Sequence, residues 1–235
     1  MKNILTDEII SLIDWNEFFR FWKFKEKFPE VLQNNEAKIL VDDANKMLKT
    51  CKNCGEAKIE WFPARSENDN IIINEKYIVR CFRQQTKKND GSPYYCLADF
   101  VEDKIGLFAI TAGDNFEKND DVYNSLLRES VSQRLVEALS QFYQKKNNAL
   151  AFAIGYPSLP DLRIMKVADE ILDLKSIGIT LNESCMMSPV SSVCGFYIMH
   201  PKARYFTVGK ISDEQYADYA ARGNENIDEV KKWVK

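Results

Sequence analysis

Apolar positions recur along this chain with two periods, and the switches between them divide it into elements. From Glu36 to Lys49, residues Ile39, Leu40, Ala44, Met47 and Leu48 fall at helical spacing and predict a helix with one apolar stripe. The longest such signal runs from Asp120 to Lys145, with Leu127, Val131, Leu135, Ala138 and Phe142 along one face. Ile164 to Lys175 predicts a third helix, terminated by Gly178. Ser212-Asp213-Glu214-Gln215 is a capping box opening a helix that ends at Gly223, and Ile227 to Val234 makes a last short one. Between the first two helices the period drops to two. Lys58 to Phe62 and Asn70 to Ile73, separated by the polar Ser66-Glu67-Asn68-Asp69, predict a hairpin. Tyr77 to Phe82 predicts a further strand, running into Arg83-Gln84-Gln85-Thr86 and the turn-rich stretch from Lys88 to Pro93. Ile105 to Thr111 is short and continuously apolar, the pattern of a central strand, and Ala112-Gly113-Asp114 closes it. Cys194 to His200 and Arg204 to Ile211 predict a second hairpin across Pro201-Lys202-Ala203. Ahead of all these, Trp15, Phe18, Phe19, Phe21, Trp22 and Phe24 recur on both sides of a helix, a pattern for core packing first and for docking a protein partner second.

The run Leu150 to Ile154 stops abruptly in Gly155-Tyr156-Pro157, as a buried strand ended by a rigid turn does. Gly155 lets main chain approach a ligand closely, Pro157 fixes the exit, and Tyr156 offers a flat ring with a polar tip. Gly-aromatic-Pro also occurs in ordinary loops, so the motif is not specific by itself. Two carboxylates are harder to place. Asp43 lies four residues after Ile39 and four before Met47, on the face predicted to be buried, whereas Asp42 points off it. An unpartnered buried charge costs roughly several kcal/mol, so Asp43 calls for a buried salt bridge or a cationic ligand, and the pattern does not separate the two. Glu137 sits to the side of its helix stripe, where periodicity gives a solvated carboxylate paired with Arg134 three residues back.

Composition narrows the class. A chain of 235 residues predicts one domain over 1–235. Its 45% hydrophobic and 29% charged residues are ordinary for a globular protein. A net charge of -3 leaves no nucleic-acid footprint. No window approaches the unbroken apolar length of a membrane span, and the start, MKNILTDEIISLIDW, carries acids where a signal peptide needs an apolar core, so a cytoplasmic protein without membrane attachment is expected. Cys51 and Cys54 form the one close pair among six cysteines, too few with a single histidine for a zinc set and wrongly placed after a helix for a redox motif; reduced thiols are expected. Histidine-based nucleophilic catalysis would have to use His200, in a turn with a structural pattern.

Taken in order, Phe18-Phe19 with Trp22, Asp43-Ala44-Asn45 with Met47-Leu48, Phe62-Pro63-Ala64, Arg83-Gln84-Gln85-Thr86, Tyr95 to Phe100, Arg134-Leu135 with Glu137-Ala138, Gly155-Tyr156-Pro157, Glu183-Ser184 with Pro189, and His200-Pro201 with Tyr205 resemble the activation domain of cobalamin-dependent methionine synthase. The resemblance covers nearly the whole chain. It implies a module that binds S-adenosylmethionine and takes part in reductive methylation of cobalamin. In that family the carboxylates at the places of Asp43 and Glu137 lie at the S-adenosylmethionine site, and the place of Tyr205 contributes. Main-chain groups of an Arg-Pro-x-x-Gly-Tyr-Pro motif hold the adenine and ribose end, which here falls to Ala153, Gly155 and Tyr156. The ligand's sulfonium and ammonium suit the two acids, and Tyr156 and Tyr205 suit its aromatic and apolar parts.

Departures from the family are equally definite. Ala151 and Phe152 stand where the family has arginine and proline, Leu162 stands where it has a polar residue, and the helix-to-motif connection is cut down to Lys145 to Leu150. The missing arginine is the expected partner of the ligand carboxylate; Arg163 is the nearest replacement in sequence. There is no cobalamin-binding Asp-x-His-x-x-Gly motif, which implies that cobalamin sits on a separate chain. A Gly-rich strand-to-helix loop is also missing, which disfavours an ordinary methyltransferase of the Rossmann type. The expectation is therefore one α+β domain, an antiparallel twisted sheet flanked by helices, acting as a stand-alone activation subunit. It would bind S-adenosylmethionine, with no catalytic residue and no metal of its own. Its partners would be a cobalamin-binding methionine synthase chain and flavodoxin or a similar reductase. A scaffold that keeps the fold but has lost effective ligand binding is the alternative.

Overall fold

In the computed structural model, which describes residues 2–4, 6–51, 53–85, 91, 93–113, 116 and 121–234, the chain opens with strand β1 (Lys2–Ile4) and helices α1 (Asp7–Ile10), α2 (Trp15–Phe21) and α3 (Asn35–Thr50). Strands β2 (Asn53–Glu67), β3 (Asn70–Ile73), β4 (Tyr77–Arg80) and β5 (Lys104–Ala112) follow, then the long helix α4 (Val122–Lys146) and β6 (Leu150–Ala153). The remainder comprises α5 (Ile164–Leu172), β7 (Thr180–Leu181), β8 (Met187–Ser188), β9 (Ser192–Ile198), α6 (Asp213–Arg222) and α7 (Ile227–Trp233). Helix starts are set by side-chain caps: Asp14 for α2, Asn34 for α3, Asp121 for α4 and Ser212 for α6 each accept from amides of the first turn. The expected turn over 88–93, apart from Gly91 and Pro93, and Asp114 and Asp120 lie outside the described residues.

β2 is long enough to serve two partners. Gly55 to Pro63 pairs antiparallel with β5, and Ala64 to Glu67 pairs with β3 across the expected hairpin. The main sheet runs β4-β3-β2-β5-β9-β6, with β1 added on β2. Along β5, Ile105, Leu107 and Ala109 face a core shared with α5, α6 and α7, while Phe108, Ile110 and Ala112 face one shared with α2, α3 and α4. Both faces of β5 are thus covered, which explains its unbroken apolar run.

Three expectations change. Residues 204–211 form no strand: β9 already has β5 on one side and β6 on the other, so neither of its edges is free for a hairpin partner. That segment crosses the sheet instead, burying Phe206 and Val208, with the Val208 amide donating to the Pro157 carbonyl at 2.9 Å. The buried stripe of α3 is turned relative to the expected one, comprising Ala37, Leu40, Val41, Ala44 and Leu48, while Ile39 is 60% exposed. Cys51 is disulfide-bonded rather than reduced, whereas Cys81, Cys96, Cys185 and Cys194 are buried free thiols.

Candidate functional site

Helix α4 presents two faces. Its apolar stripe enters the core, and a second row at helical spacing, Arg134, Glu137 and Gln141, looks across to the end of the sheet. Opposite that row, Ala151 and Ala153 project from the same side of β6, and Val193 from β9. Short side chains at 151 and 153 cannot fill the gap between helix and strand, and a cavity of about 490 Å³ remains, within the range of small-molecule sites. Tyr156 and Tyr205 stand at its mouth, 53% and 49% exposed. Tyr205 stacks on Phe152, with ring centroids 5.9 Å apart and planes at 11°.

The turn after β6 holds Tyr156 in place. Gly155 has φ +83, and a Cβ there would come within 2.7 Å of the Leu162 side chain, so the position requires glycine. The Gly155 amide donates to the Leu159 carbonyl at 2.8 Å, the Leu159 amide to the Tyr156 carbonyl at 2.8 Å, and the Tyr156 amide to the Ala153 carbonyl at 3.4 Å. Of the main-chain groups expected to face a ligand, the amides of Gly155 and Tyr156 are thus engaged within the turn. Leu162, the apolar departure from the family motif, packs under this turn.

Arg134 and Glu137 form an ion pair inside the cavity, Nη1 to Oε2 at 3.0 Å, with the arginine side chain 14% and the glutamate 46% exposed. Burial pushes the Glu137 carboxyl above its ordinary pKa; Arg134 opposes that shift, and the charges of Asp14 and Glu17 add to it. These last two acids, at the start of α2, belong to the electrostatics of the site and were missed by periodicity, because capping α2 is a sufficient role for Asp14: its carboxylate accepts from the amides of Asn16 at 2.9 Å and Glu17 at 3.2 Å. The Tyr156 hydroxyl is likewise pushed up, by burial first and by the Glu137 charge second.

Asp43 is not directed into this cavity, contrary to expectation. It lines a separate one of about 420 Å³ with Lys46 and Tyr123. Lys46 donates to one carboxylate oxygen at 2.9 Å and the Tyr123 hydroxyl to the other at 3.0 Å. The Lys46 hydrogen bond holds the Asp43 pKa below its usual value, while burial and Asp43 push Tyr123 up to about 12. Tyr123 lies in the first turn of α4; from there to Glu137 is about 20 Å along the axis at about 1.5 Å per residue, which is why the two carboxylates do not meet. Arg163 is not available as a replacement cation either, being paired with Asp161 at 2.7 Å and Glu225 at 2.8 Å.

A third cavity, of about 480 Å³ beside Gln144 and His200, is lined by no carboxylate among the described residues, so it offers no counter-charge to a cation. His200 accepts from the Lys202 amide at 3.1 Å and meets Glu102 at 3.2 Å, bonds that shape its turn. Among the described residues no group of three or more His, Cys, Asp or Glu is arranged to hold a metal ion, and no helix is long and apolar enough to cross a membrane.

Fold and cavity together define an α+β domain with a tyrosine-fronted pocket at a sheet end that holds one arginine–glutamate pair and is lined by no histidine or cysteine among the described residues. A family model described as vitamin B12 dependent methionine synthase, activation domain, matches residues 5–149 and 140–224, and the chain belongs to that family. The two matched stretches overlap just where the connection from α4 to β6 is short. A crystal structure of the MetH reactivation domain bound to AdoHcy is similar throughout: 30% identity over 99% of this chain and 88% of that one, with a TM-score of 0.85.

Proposed function

We propose that this chain binds S-adenosylmethionine in the cavity between α4 and β6 and acts as a separate activation subunit for a cobalamin-binding methionine synthase chain. The observation that carries this reading is Glu137, a carboxylate partly desolvated in a cavity of ligand size, between an arginine and two tyrosines. The AdoHcy in the similar MetH domain supports it, since that molecule is what S-adenosylmethionine becomes on losing its methyl. Glu137 would face the ligand's positive charge, Tyr156 and Tyr205 would flank its adenine, and carbonyls around Ala153 and Gly155 would meet the adenine and ribose end. Asp43, about four helical turns away, stands outside this set.

S-adenosylmethionine supplies an electrophilic methyl to reduced cobalamin on the partner, after flavodoxin or a similar donor has delivered the electron. The acceptor is itself a strong nucleophile, so this chain needs no acid, base or nucleophile; it positions the donor and balances its charge. Such a role belongs in the cytoplasm. In the test, purified protein alone has no methionine synthase activity, but restores turnover to an oxidised partner when S-adenosylmethionine and a reducing system are added. Full reactivation without this chain refutes the role. Ala151 favours a second reading, a scaffold without useful ligand binding; an unchanged melting temperature in saturating S-adenosylmethionine would decide for it.

A further inference from the structure

We infer that Arg134 receives the carboxylate of the ligand, so that Arg134 and Glu137 together read an α-amino-acid head group as a zwitterion. The inference rests on the S-adenosylmethionine reading above and adds which part of the ligand lies where. Arg134 is the one cation among the described residues lining the cavity, and β6 contributes only alanine there. Its one ion pair among the described residues is to Glu137, through Nη1. A guanidinium carries five N–H donors in a rigid fork, so the remaining edge is free to take a carboxylate bidentately. The side chain is 14% exposed and already held by Glu137, which lowers the entropy lost when a ligand docks.

The spacing also suits the ligand. Opposite charges 3.0 Å apart present, in mirrored order, the separation between the ammonium and carboxylate of an α-amino acid, which share one carbon. A ligand laid along the pair exchanges the internal contact for two external ones of the same kind, without leaving either charge unpaired. The head group therefore lies along α4 rather than over β6, and the small residue at 151 becomes the space it crosses. Molecules with the nucleoside but without the carboxylate lose the arginine contact and should be discriminated against.

The test is calorimetric titration of the natural protein and Arg134→Gln with S-adenosylmethionine, with its decarboxylated analogue, and with 5′-methylthioadenosine, which lacks the whole amino-acid head. The natural protein is expected to prefer S-adenosylmethionine over the decarboxylated compound by roughly ten- to a hundredfold, and Arg134→Gln to lose that preference. Methylthioadenosine should bind both forms within about threefold, reporting that the variant's site is folded. If the preference survives in Arg134→Gln, or is missing in the natural protein while binding persists, the assignment is wrong and the ligand reading stands. If the natural protein binds none of the three, both fall. Should Arg134→Gln fail to fold, Arg134→Lys is expected to shrink the preference without abolishing it, and an unchanged preference there overturns the assignment.

Discussion

Exchanging Glu137 for glutamine removes one negative charge from the cavity while keeping the shape of the side chain. In the free protein little stability is at stake. The pair with Arg134 is part-exposed on its glutamate side, where such a pair is worth at most about 1 kcal/mol, and it is opposed by the burial that raises the carboxyl above its ordinary 4.5. Because the folded pKa is raised, the ionised group costs stability above that pKa, and the cost disappears as pH falls below the unfolded value. Glu137→Gln should therefore shift folding free energy by less than about 1 kcal/mol. Binding is a different matter. A charged hydrogen-bonded contact to the ligand's cationic group is worth about 1.5 to 3 kcal/mol, which at about 1.4 kcal/mol per decade is roughly ten- to a hundredfold in affinity. Calorimetric titration should show that loss at neutral pH. As pH falls toward the carboxylate range, the natural protein should weaken as Glu137 takes up its proton, while the variant stays flat. Equal affinity in the two forms at neutral pH would refute the placement of the ligand beside Glu137.

Ala151→Arg, combined with Arg134→Gln, should recover about tenfold in S-adenosylmethionine affinity by titration, since position 151 lines the same cavity; no recovery would mean that the two positions do not reach one carboxylate. Gly155→Ala should destabilise the fold by about 1 to 2 kcal/mol, because alanine is strained at φ +83 and its Cβ meets Leu162, and the urea midpoint should fall at unchanged slope. Asp43→Asn should alter S-adenosylmethionine affinity by less than about twofold, its charge being answered by Lys46 and Tyr123; a tenfold loss would bring Asp43 back to the site.

Much of the architecture was legible because local pattern and tertiary role coincide. The Ile105 to Thr111 run reads as a central strand and is one, and the cap at Ser212 lies where the sequence marks a helix start. The failures share a cause, which is that neighbours are not written in a local pattern. Arg204 to Ile211 has a strand's composition, but occupancy of both edges of β9 depends on β6, contributed by residues more than forty positions earlier. The face of α3 was misjudged at Ile39 because the partner surface is set by α4 and the N-terminal helices. Glu137 and Tyr156 line one cavity, while Asp43 is separated from them by distance along α4, which spacing within α3 cannot encode. Arg83, part of the same resemblance, joins Asp69 at 2.5 Å and Asp99 at 2.7 Å and so ties the turn between β2 and β3 to the single helical turn at Leu97–Phe100.

Only Asn147, Asn148 and Ala149 separate α4 from β6, and they are pinned: the Asn147 amide donates to the Tyr143 carbonyl at 2.9 Å, the Ala149 amide to the Gln144 carbonyl at 3.2 Å, and the Ala151 amide to the Gln144 side chain at 3.1 Å. This short link works as a gauge. One residue added on its helical side would turn Arg134 and Glu137 about 100° away from the strand, and one added on the strand side would point Ala151 and Ala153 into the opposite core. A single-residue insertion in this pinned link is therefore expected to disturb the cavity, whereas a longer connection of the kind the family carries keeps the helix and strand in register only by looping out between them.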